Sequence, residues 1–452
     1  MQRRICLVVL ALVAFAATAQ AERRAVISLR ACEGVAKCTT DQKLLYSQAF
    51  ARNEPVIELM TMGIGALMWE RHGHIALCVR YPHPEDDICF NYGIGDFHEP
   101  GKMAWGFFRG TKSFWAGKQE VLELMQIYAG RDRTVWAQPI PLTLEQKTKV
   151  IQKLESDILE QNRYYAYDHF WDNCTTRVRD ILDDVTDHAL RTMPEEAGDD
   201  RTFRDLARDG FWGMRLPLLI TDIAMGRITD QVPTYWERMF LPQYLREAVQ
   251  KKWGVVPIIL YERHAGVSDR TDADANGIPD IHEDANGNGI PNFEEDVDHN
   301  SGRVLFALFV LAVCAPAVLA RYFGRFQRIG LAIAIIPPVL LGSALWFLAI
   351  ISPLKYVELN ETCLIFLPLD LALLVLPLPK RTLYAKGRVA MLGLMALLML
   401  IGVLKQPLFA ELLWPLIPAA LVGFWPARWT RTPAVKVPEA KAEKSKPKAK
   451  AS

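Results

Sequence analysis

Residues 72–92 read HGHIALCVRYPHPEDDICFNY, which is two β-rich runs on either side of a turn-forming centre. Residues 75–81 and 88–92 are rich in branched and aromatic side chains, whereas residues 82–87 contain two prolines and three acidic residues. This pattern predicts an antiparallel hairpin. If the hairpin is symmetric about its turn, strand alternation places His74 and Asn91 on one face, diagonal to each other.

The hairpin belongs to a region of mixed α and β character, residues 22–260, which we interpret as one exported domain. Residues 56–62 are another β-rich run. Thr143 and Gln146 fit a capping box, which predicts a helix that runs to about Asn162. A second helix is predicted to begin near Cys174. The predicted fold class of this domain is therefore α+β.

The cysteines of the exported domain predict one free thiol. They are Cys32, Cys38, Cys78, Cys89 and Cys174. An even number of them can pair in an oxidising compartment. The first two are close in sequence, and the next two face each other in a symmetric hairpin, so Cys174 is left over. A lone exported thiol is a candidate nucleophile, and a buried structural thiol is the alternative.

Residues 167–177, YDHFWDNCTTR, surround this thiol and end an aromatic stretch at Asn173. A cysteine in the first turn of a helix lies at the positive end of the helix dipole, which lowers the thiol pKa and favours the thiolate. The candidate for its base lies in residues 71–79, which contain His72 and His74, and the hairpin register would let Asn91 orient the His74 ring. The alternatives for the orienting residue are Asp168, Asp172 and His169. The histidines that could instead form a zinc site are His72, His74, His98 and His169.

The two ends of the chain predict a cell-envelope protein. Residues 1–21 fit a signal peptide, with an uncleaved anchor as the alternative. Residues 303–426 predict a transmembrane domain of about five helices, near residues 303–320, 329–351, 362–379, 388–404 and 406–425. Basic loops alternate with weakly charged ones, so the positive-inside rule places residues 22–302 in the periplasm. The basic tail, residues 427–452, is expected to be disordered and cytoplasmic. The membrane is thus a partner, and no nucleic-acid partner is expected.

Residues 268–299 predict a calcium-binding neck between these domains. Two adjacent twelve-residue units match the calcium-loop pattern, with oxygen ligands around a glycine and a closing glutamate. The ligands of the first unit would be Asp272, Asp274, Asn276, Ile278, Asp280 and Glu283. Those of the second unit would be Asp284, Asn286, Asn288, Ile290, Asn292 and Glu295. The tandem units resemble thrombospondin type 3 repeats, and a flexible acidic linker is the alternative. Calcium would be structural, and no cofactor is expected for catalysis.

The order of the short motifs resembles a known family of thiol enzymes. The pattern His-x-Ala-Leu-x-Val from His74 resembles the histidine strand of lecithin:retinol acyltransferase and other permuted NlpC-type enzymes. A closer similarity is to the Lnb-type lipoprotein N-acyltransferases and their periplasmic domain, over roughly residues 50–250. The motifs that carry it are Gly73-His74, Asn91-Tyr92-Gly93 with Phe97, Tyr167-x-x-Phe170-x-x-Asn173-Cys174 and Met239-Phe240-Leu241-Pro242.

This resemblance implies a fold and a reaction. The exported domain would be permuted papain/NlpC-like and would precede a transmembrane bundle in a bacterial inner membrane. Cys174 would take a fatty acyl chain from a phospholipid as a thioester and pass it to the N-terminal amino group of a lipoprotein. His74 would be the base and Asn91 the third catalytic residue. The supporting residues would be Asn173, Asp168 and Tyr167.

Two other functions remain open at this point. A cysteine hydrolase with the same residues could cleave a phospholipid or a peptidoglycan peptide. A non-catalytic envelope scaffold stiffened by calcium would need neither Cys174 nor His74. Aromatic residues 105, 107, 108, 114 and 115 could line an acyl groove or lie at the membrane interface, but a packing role in the core is the favoured interpretation.

Overall fold

A computed structural model describes residues 28–34, 36–96, 98–195, 200–211, 215–263 and 299–430. The chain divides into two compact units, one made of Met1–Gly302 with Phe347–Glu361 and the other of Arg303–Trp346 with Thr362–Ser452. The predicted signal peptide, the calcium loops, Phe97 and the tail from residue 431 lie outside the described residues. These features stay predictions.

The exported unit is built on an antiparallel sheet. In the described part of the chain this sheet has seven strands in the order β6-β4-β3-β2-β1-β5-β7. Every neighbouring pair is antiparallel. The strands are β1 Val56–Met62, β2 His74–Arg80, β3 Ile88–Ile94, β4 Phe114–Glu120, β5 Val135–Pro139, β6 Tyr164–Tyr165 and β7 Ile258–Tyr261.

The hairpin formed by β2 and β3 has the predicted register. Cys78 lies opposite Cys89 and Ala76 lies opposite Asn91, so Asn91 is diagonal to His74. Disulfides join Cys78 to Cys89 and Cys32 to Cys38. Both predicted pairings are confirmed, and they leave Cys174 as a free thiol.

Helices cover both faces of the sheet. They are α1 Thr40–Ala51, α2 Pro100–Phe108, α3 Val121–Gly130, α4 Leu144–Asp157, α5 Cys174–Val185, α6 Phe203–Asp209, α7 Arg215–Ala224, α8 Tyr235–Arg238 and α9 Pro242–Trp253. Short 3₁₀ turns lie at Met68–Glu70, Pro84–Asp86 and Arg227–Asp230. Helix α4 begins after the predicted capping box of Thr143 and Gln146. It ends at Asp157, before the predicted end, because the Asn162 amide donates to the Ser156 carbonyl and the chain turns there.

The two faces of the sheet bury separate cores. On one face, Ile57, Leu59 and Ile75 pack in the same cluster as Val178 of α5 and Leu245 of α9. The other face buries a second cluster, which contains Met60, Ala76, the Cys78–Cys89 pair and Leu124 of α3. The α+β fold class is therefore confirmed, and the permuted papain/NlpC-like topology stays a prediction.

A charged network is buried within the exported unit. The Arg80 guanidinium lies 2.6 Å from Glu58 and 3.2 Å from Asp87, and Arg30 lies 2.7 Å from Asp87. The Tyr46 hydroxyl donates to Glu58 at 2.5 Å. Glu58 and Arg80 are almost inaccessible to solvent. The charges are thus tolerated because each one has an opposite charge and hydrogen-bond partners.

Residues 352–361, which we call the exported loop, fold into the exported unit although they follow a membrane helix in sequence. Helix α12, Lys355–Glu358, is the regular part of this loop. Leu354, Tyr356 and Val357 are buried in the same core as β1, α5 and α9. The hydrophobic core of the exported unit is therefore assembled from two distant parts of the chain.

The second unit carries the candidate membrane spans. Within residues 299–430, three helices are long and apolar enough to cross a membrane: Val304–Tyr322 of α10, which spans His299–Tyr322, then α11 Gln327–Ile351 and α15 Leu378–Leu400. Helix α16, Phe409–Phe424, is apolar but shorter. The remaining elements are α13 Thr362–Ile365, a 3₁₀ turn at Pro368–Leu371, α14 Ala372–Val375 and a 3₁₀ turn at Ala427–Trp429.

The span predicted near residues 362–379 is not one continuous helix. That segment consists of short helical pieces, and the next span begins at Leu378 rather than near residue 388. A buried ion pair accounts for the break. Arg388 lies 2.8 Å from Asp370 and donates to the Leu364 carbonyl at 3.1 Å. A broken helix leaves backbone carbonyl oxygens without hydrogen bonds among apolar side chains. Arg388 donates a hydrogen bond to one of them.

Replacing Arg80 by Met should destabilise the exported unit by about 3–5 kcal/mol, because the buried Glu58 carboxylate would lose the opposite charge that faces it. The measurement is thermal unfolding of the full-length protein in detergent, followed by circular dichroism. Arg52→Met is the matched control, since Arg52 pairs with Glu54 at the surface and should leave the transition almost unchanged. Equal transitions for the two variants would show that the buried network is not needed.

Candidate active site

Asn173 fixes the start of helix α5. Its side-chain oxygen accepts hydrogen bonds from the N–H groups of Thr175 and Thr176, both at 2.8 Å. Its side-chain nitrogen donates to the carbonyls of His169 at 2.7 Å and Phe240 at 2.9 Å. The predicted helix start is therefore confirmed, and Cys174 is the first residue of the helix.

The Cys174 thiol is buried, with 7% of the residue exposed. Burial raises the pKa of the Cys174 thiol above its ordinary value. Hydrogen bonds from the Thr175 hydroxyl and from the N–H groups of Ile75, Thr175 and Cys174 lower it in part. The net pKa of Cys174 is therefore higher than the helix start alone predicts, since desolvation outweighs these hydrogen bonds.

His74 lies at the start of β2, one residue before the Ile75 N–H that contacts the thiol. Its Nε2 lies 3.2 Å from the Asn91 Oδ1. With that oxygen as the acceptor, Nε2 carries the proton and Nδ1 is the free acceptor. Burial, and to a smaller extent the charge of Arg133, lower the pKa of His74 to about 4. His74 is therefore neutral at the pH of a periplasm and can accept a proton.

The other predicted residues hold the backbone around the thiol. Asp168 accepts hydrogen bonds from the N–H groups of Phe170 at 2.9 Å and Trp171 at 3.1 Å. Asp172 forms an ion pair with Arg177 at 2.6 Å. These contacts shape residues 168–172, which we call the nucleophile turn. Among the predicted candidates for a His74 partner, the hydrogen bond is made by Asn91.

The histidines proposed for a zinc site have other partners. His72 Nε2 lies 2.9 Å from the Ala207 carbonyl, and the His72 ring packs edge-on against His169 at 4.7 Å. Among the described residues, one group has ligand atoms close enough for a metal ion: Asp183, Asp184 and His188. Asp183 already accepts hydrogen bonds from the N–H groups of Leu190 and Arg191. The four histidines form no such group in the described part of the chain.

Two site residues were not predicted from the sequence. The Tyr128 ring of α3 stacks on His74 at a centroid distance of 6.1 Å. The Arg133 guanidinium lies 4.8 Å from the centre of the Tyr128 ring and donates to the Gly63 carbonyl. The sequence carries no local signal for this stack, because it arises from the packing of α3 next to β2.

Gly93 allows two site residues to come close to β3. Its φ is +78°, and a Cβ built at this position would lie 3.2 Å from Tyr167 and 3.7 Å from the Cβ of Cys174. Backbone with positive φ favours glycine. The Asn91-Tyr92-Gly93 motif therefore supplies both the partner of His74 and the space beside Cys174.

Aromatic side chains surround Tyr167. Phe114 and Phe107 lie 4.7 Å and 6.3 Å from the Tyr167 ring, measured between centroids. Phe114 is buried, Phe107, Phe108 and Trp115 are half-buried, and Trp105 is 50% exposed. The Trp105 ring stacks on Phe347 at 6.1 Å. The packing role expected for the cluster thus holds for Phe114, and Trp105 is a surface residue.

Comparison with known proteins identifies the exported domain. Residues 43–208 match the family model of the Lnb N-terminal periplasmic domain. No curated protein and no solved structure matches the chain. The matched segment contains Cys174, His74, Asn91, Tyr128 and Gly93. Together with the three candidate spans, the match supports an inner-membrane protein with a periplasmic N-terminal domain.

Gly93→Ala should lower the rate of Cys174 alkylation by a small neutral reagent and cost about 1–2 kcal/mol of stability, because alanine disfavours positive φ and its methyl group would crowd Tyr167. The rate is followed by mass spectrometry of the full-length protein. Gly130→Ala is the control, since a Cβ there meets nothing within 4 Å. If both alanine variants react at the wild-type rate, Gly93 is not required for the site geometry.

Stability should fall as the pH is lowered from about 6.5 to about 4. Burial lowers the pKa of His72 and of His74 to about 4, so the unfolded chain binds more protons than the folded chain in that range. Each histidine contributes up to about 1.4 kcal/mol per pH unit to the slope of the unfolding free energy against pH. Thermal unfolding between pH 7.5 and 5 measures the slope. His72→Gln should make it shallower, and an unchanged slope in that variant would contradict this assignment.

Proposed function

We propose that this protein, whose residues 43–208 form an Lnb N-terminal periplasmic domain, transfers a fatty acyl chain through a Cys174 thioester to the N-terminal amino group of lipoproteins. The observation that carries the proposal is that helix α5, which begins with Cys174, packs against β2, the strand that begins with His74. Cys174 is a free thiol at the start of its helix, and Asn91 holds the neutral His74 ring at the start of β2.

In the first half of the reaction, the His74 Nδ1 takes the thiol proton and the sulfur attacks the carbonyl carbon of a lipid ester. In this proposal the N–H groups of Ile75 and Cys174, which lower the thiol pKa, would stabilise the negative charge on the carbonyl oxygen. When the tetrahedral intermediate collapses, the carbon–oxygen bond breaks and His74 returns its proton to the leaving alcohol. The products are a lysolipid and the Cys174 thioester.

In the second half, the amino group of the lipoprotein attacks the thioester carbonyl. His74 takes a proton from the attacking nitrogen, the carbon–sulfur bond breaks, and an amide forms. The sulfur leaves as the thiolate and recovers a proton from His74. The neutral state of His74 suits both halves, because a protonated ring could accept neither proton.

Two observations favour transfer over hydrolysis. The thiol is buried near Tyr167, whose ring packs against Phe107 and Phe114, and this apolar surrounding suits an acyl chain and limits access of water. The exported loop between membrane helices belongs to the same compact unit, which suits substrates anchored in a membrane. A hydrolase would use the same residues with water as the acceptor. A scaffold would have no need for the Cys174, His74 and Asn91 arrangement.

Cys174→Ala should abolish acyl transfer, and Cys174→Ser should nearly do so, because a serine hydroxyl is far less ionised than a thiol beside the same histidine. His74→Ala should reduce the rate by about 10²–10⁴-fold, as is typical for loss of a general base. The measurement is mass spectrometry of lipoprotein N-termini after incubation with the purified protein and lipid.

The intermediate gives a direct test. With lipid but no acceptor, the wild-type protein should carry a fatty acyl group on Cys174 that neutral hydroxylamine releases. Cys314→Ala is the matched control, since Cys314 is another buried free thiol and its loss should leave the intermediate intact. Full transfer activity in Cys174→Ala would rule out the thiol mechanism. Release of free fatty acid in the presence of the acceptor would favour the hydrolase function.

A further inference from the structure

The exported loop is bound to the exported unit by backbone hydrogen bonds. The N–H of Gly226 donates to the Tyr356 carbonyl at 2.5 Å, and the N–H of Arg227 donates to the Leu359 carbonyl at 2.9 Å. The Asn360 side chain donates to the Ile223 carbonyl at 2.8 Å. The loop therefore follows the end of helix α7 with a fixed register.

The Tyr356 side chain lies against the nucleophile turn. Its ring meets Phe170 edge-on at 5.2 Å and stacks on Trp171 at 6.3 Å, measured between centroids. Tyr356 and Phe170 are almost completely buried. The Lys355 Nζ lies 5.8 Å from the centre of the Trp171 ring. Two consecutive residues of the loop thus contact two consecutive residues of the turn.

The nucleophile turn in turn holds Cys174. The side chain of Asn173 donates to the His169 carbonyl within the turn, and the same side chain caps the helix that Cys174 begins. A movement of Phe170 would therefore displace His169, then Asn173, then the thiol relative to His74.

We propose that Tyr356 is a positioning residue for Cys174: its ring fixes the nucleophile turn, and through Asn173 it fixes the thiol at the start of helix α5. The exported loop, which lies between candidate membrane helices in sequence, thereby helps to position the Cys174 thiol in the candidate active site. The inference rests on the proposed function for its catalytic meaning, but the placement of the thiol can be measured without any acyl transfer.

The experiment measures alkylation of Cys174 against pH in the full-length protein, together with acyl transfer. In Tyr356→Ala the thiol should lose part of its burial, so the midpoint of alkylation should move to lower pH by about one unit, while transfer falls on the order of tenfold. Tyr356→Phe keeps the ring, so its alkylation midpoint and its transfer rate should equal those of the wild type. A second route to the same effect is Gly226→Ala, because a Cβ there would collide with the Leu359 carbonyl and displace the loop.

Two controls separate positioning from general loss of stability. Gly101→Ala adds a methyl group where nothing lies within 4 Å and should behave as wild type. Leu260→Ala opens a void in the cluster on the opposite face of the sheet and should lower the unfolding temperature without moving the alkylation midpoint.

The outcomes are distinguishable. If Tyr356→Ala and Gly226→Ala keep the wild-type midpoint and transfer, or if Leu260→Ala moves the midpoint equally, the inference is overturned. If the wild-type protein transfers no acyl chain but the midpoint still moves in the two loop variants alone, the proposed function fails and the positioning role of Tyr356 stands.

Discussion

The side-chain amide of Asn173 is the interaction on which the candidate site depends. An asparagine side chain can accept two hydrogen bonds and donate two, and Asn173 makes all four. These bonds join the start of helix α5, the nucleophile turn and the carbonyl of Phe240. One side chain thus joins two adjacent segments to a third that lies 67 residues further along the chain. The loss of any one segment would leave a buried amide group without its partner, which is costly.

Local patterns explain what the sequence could predict. The turn-rich residues between two β-rich runs determine the hairpin register, and the register alone brings Cys78 to Cys89 and Asn91 to a position diagonal to His74. The cap at Thr143 and the helix start at Cys174 are likewise decided by residues within one turn of each helix. These features depend on contacts close in sequence or on strand alternation, both of which are visible in the sequence.

The features that could not be predicted depend on contacts between distant segments. Tyr128 reaches His74 because α3 packs next to the hairpin, and nothing in residues 121–130 indicates that contact. The break between Thr362 and Val375 is stabilised by Arg388, which lies in the following helix, α15. The raised pKa of the Cys174 thiol follows from burial, which depends on several elements at once and is not visible in the residues around the helix start.

The burial of Cys174 has a consequence for the compartment in which this domain resides. Disulfide exchange begins with attack by a thiolate, so a thiol whose pKa is raised by burial reacts slowly with oxidants and with other cysteines. The exported domain forms two disulfides while it folds, and a reactive third partner would compete with them. A protonated, enclosed Cys174 is thereby protected from mispairing and overoxidation. The same enclosure that slows ionisation of the sulfur preserves it as a free thiol in an oxidising environment.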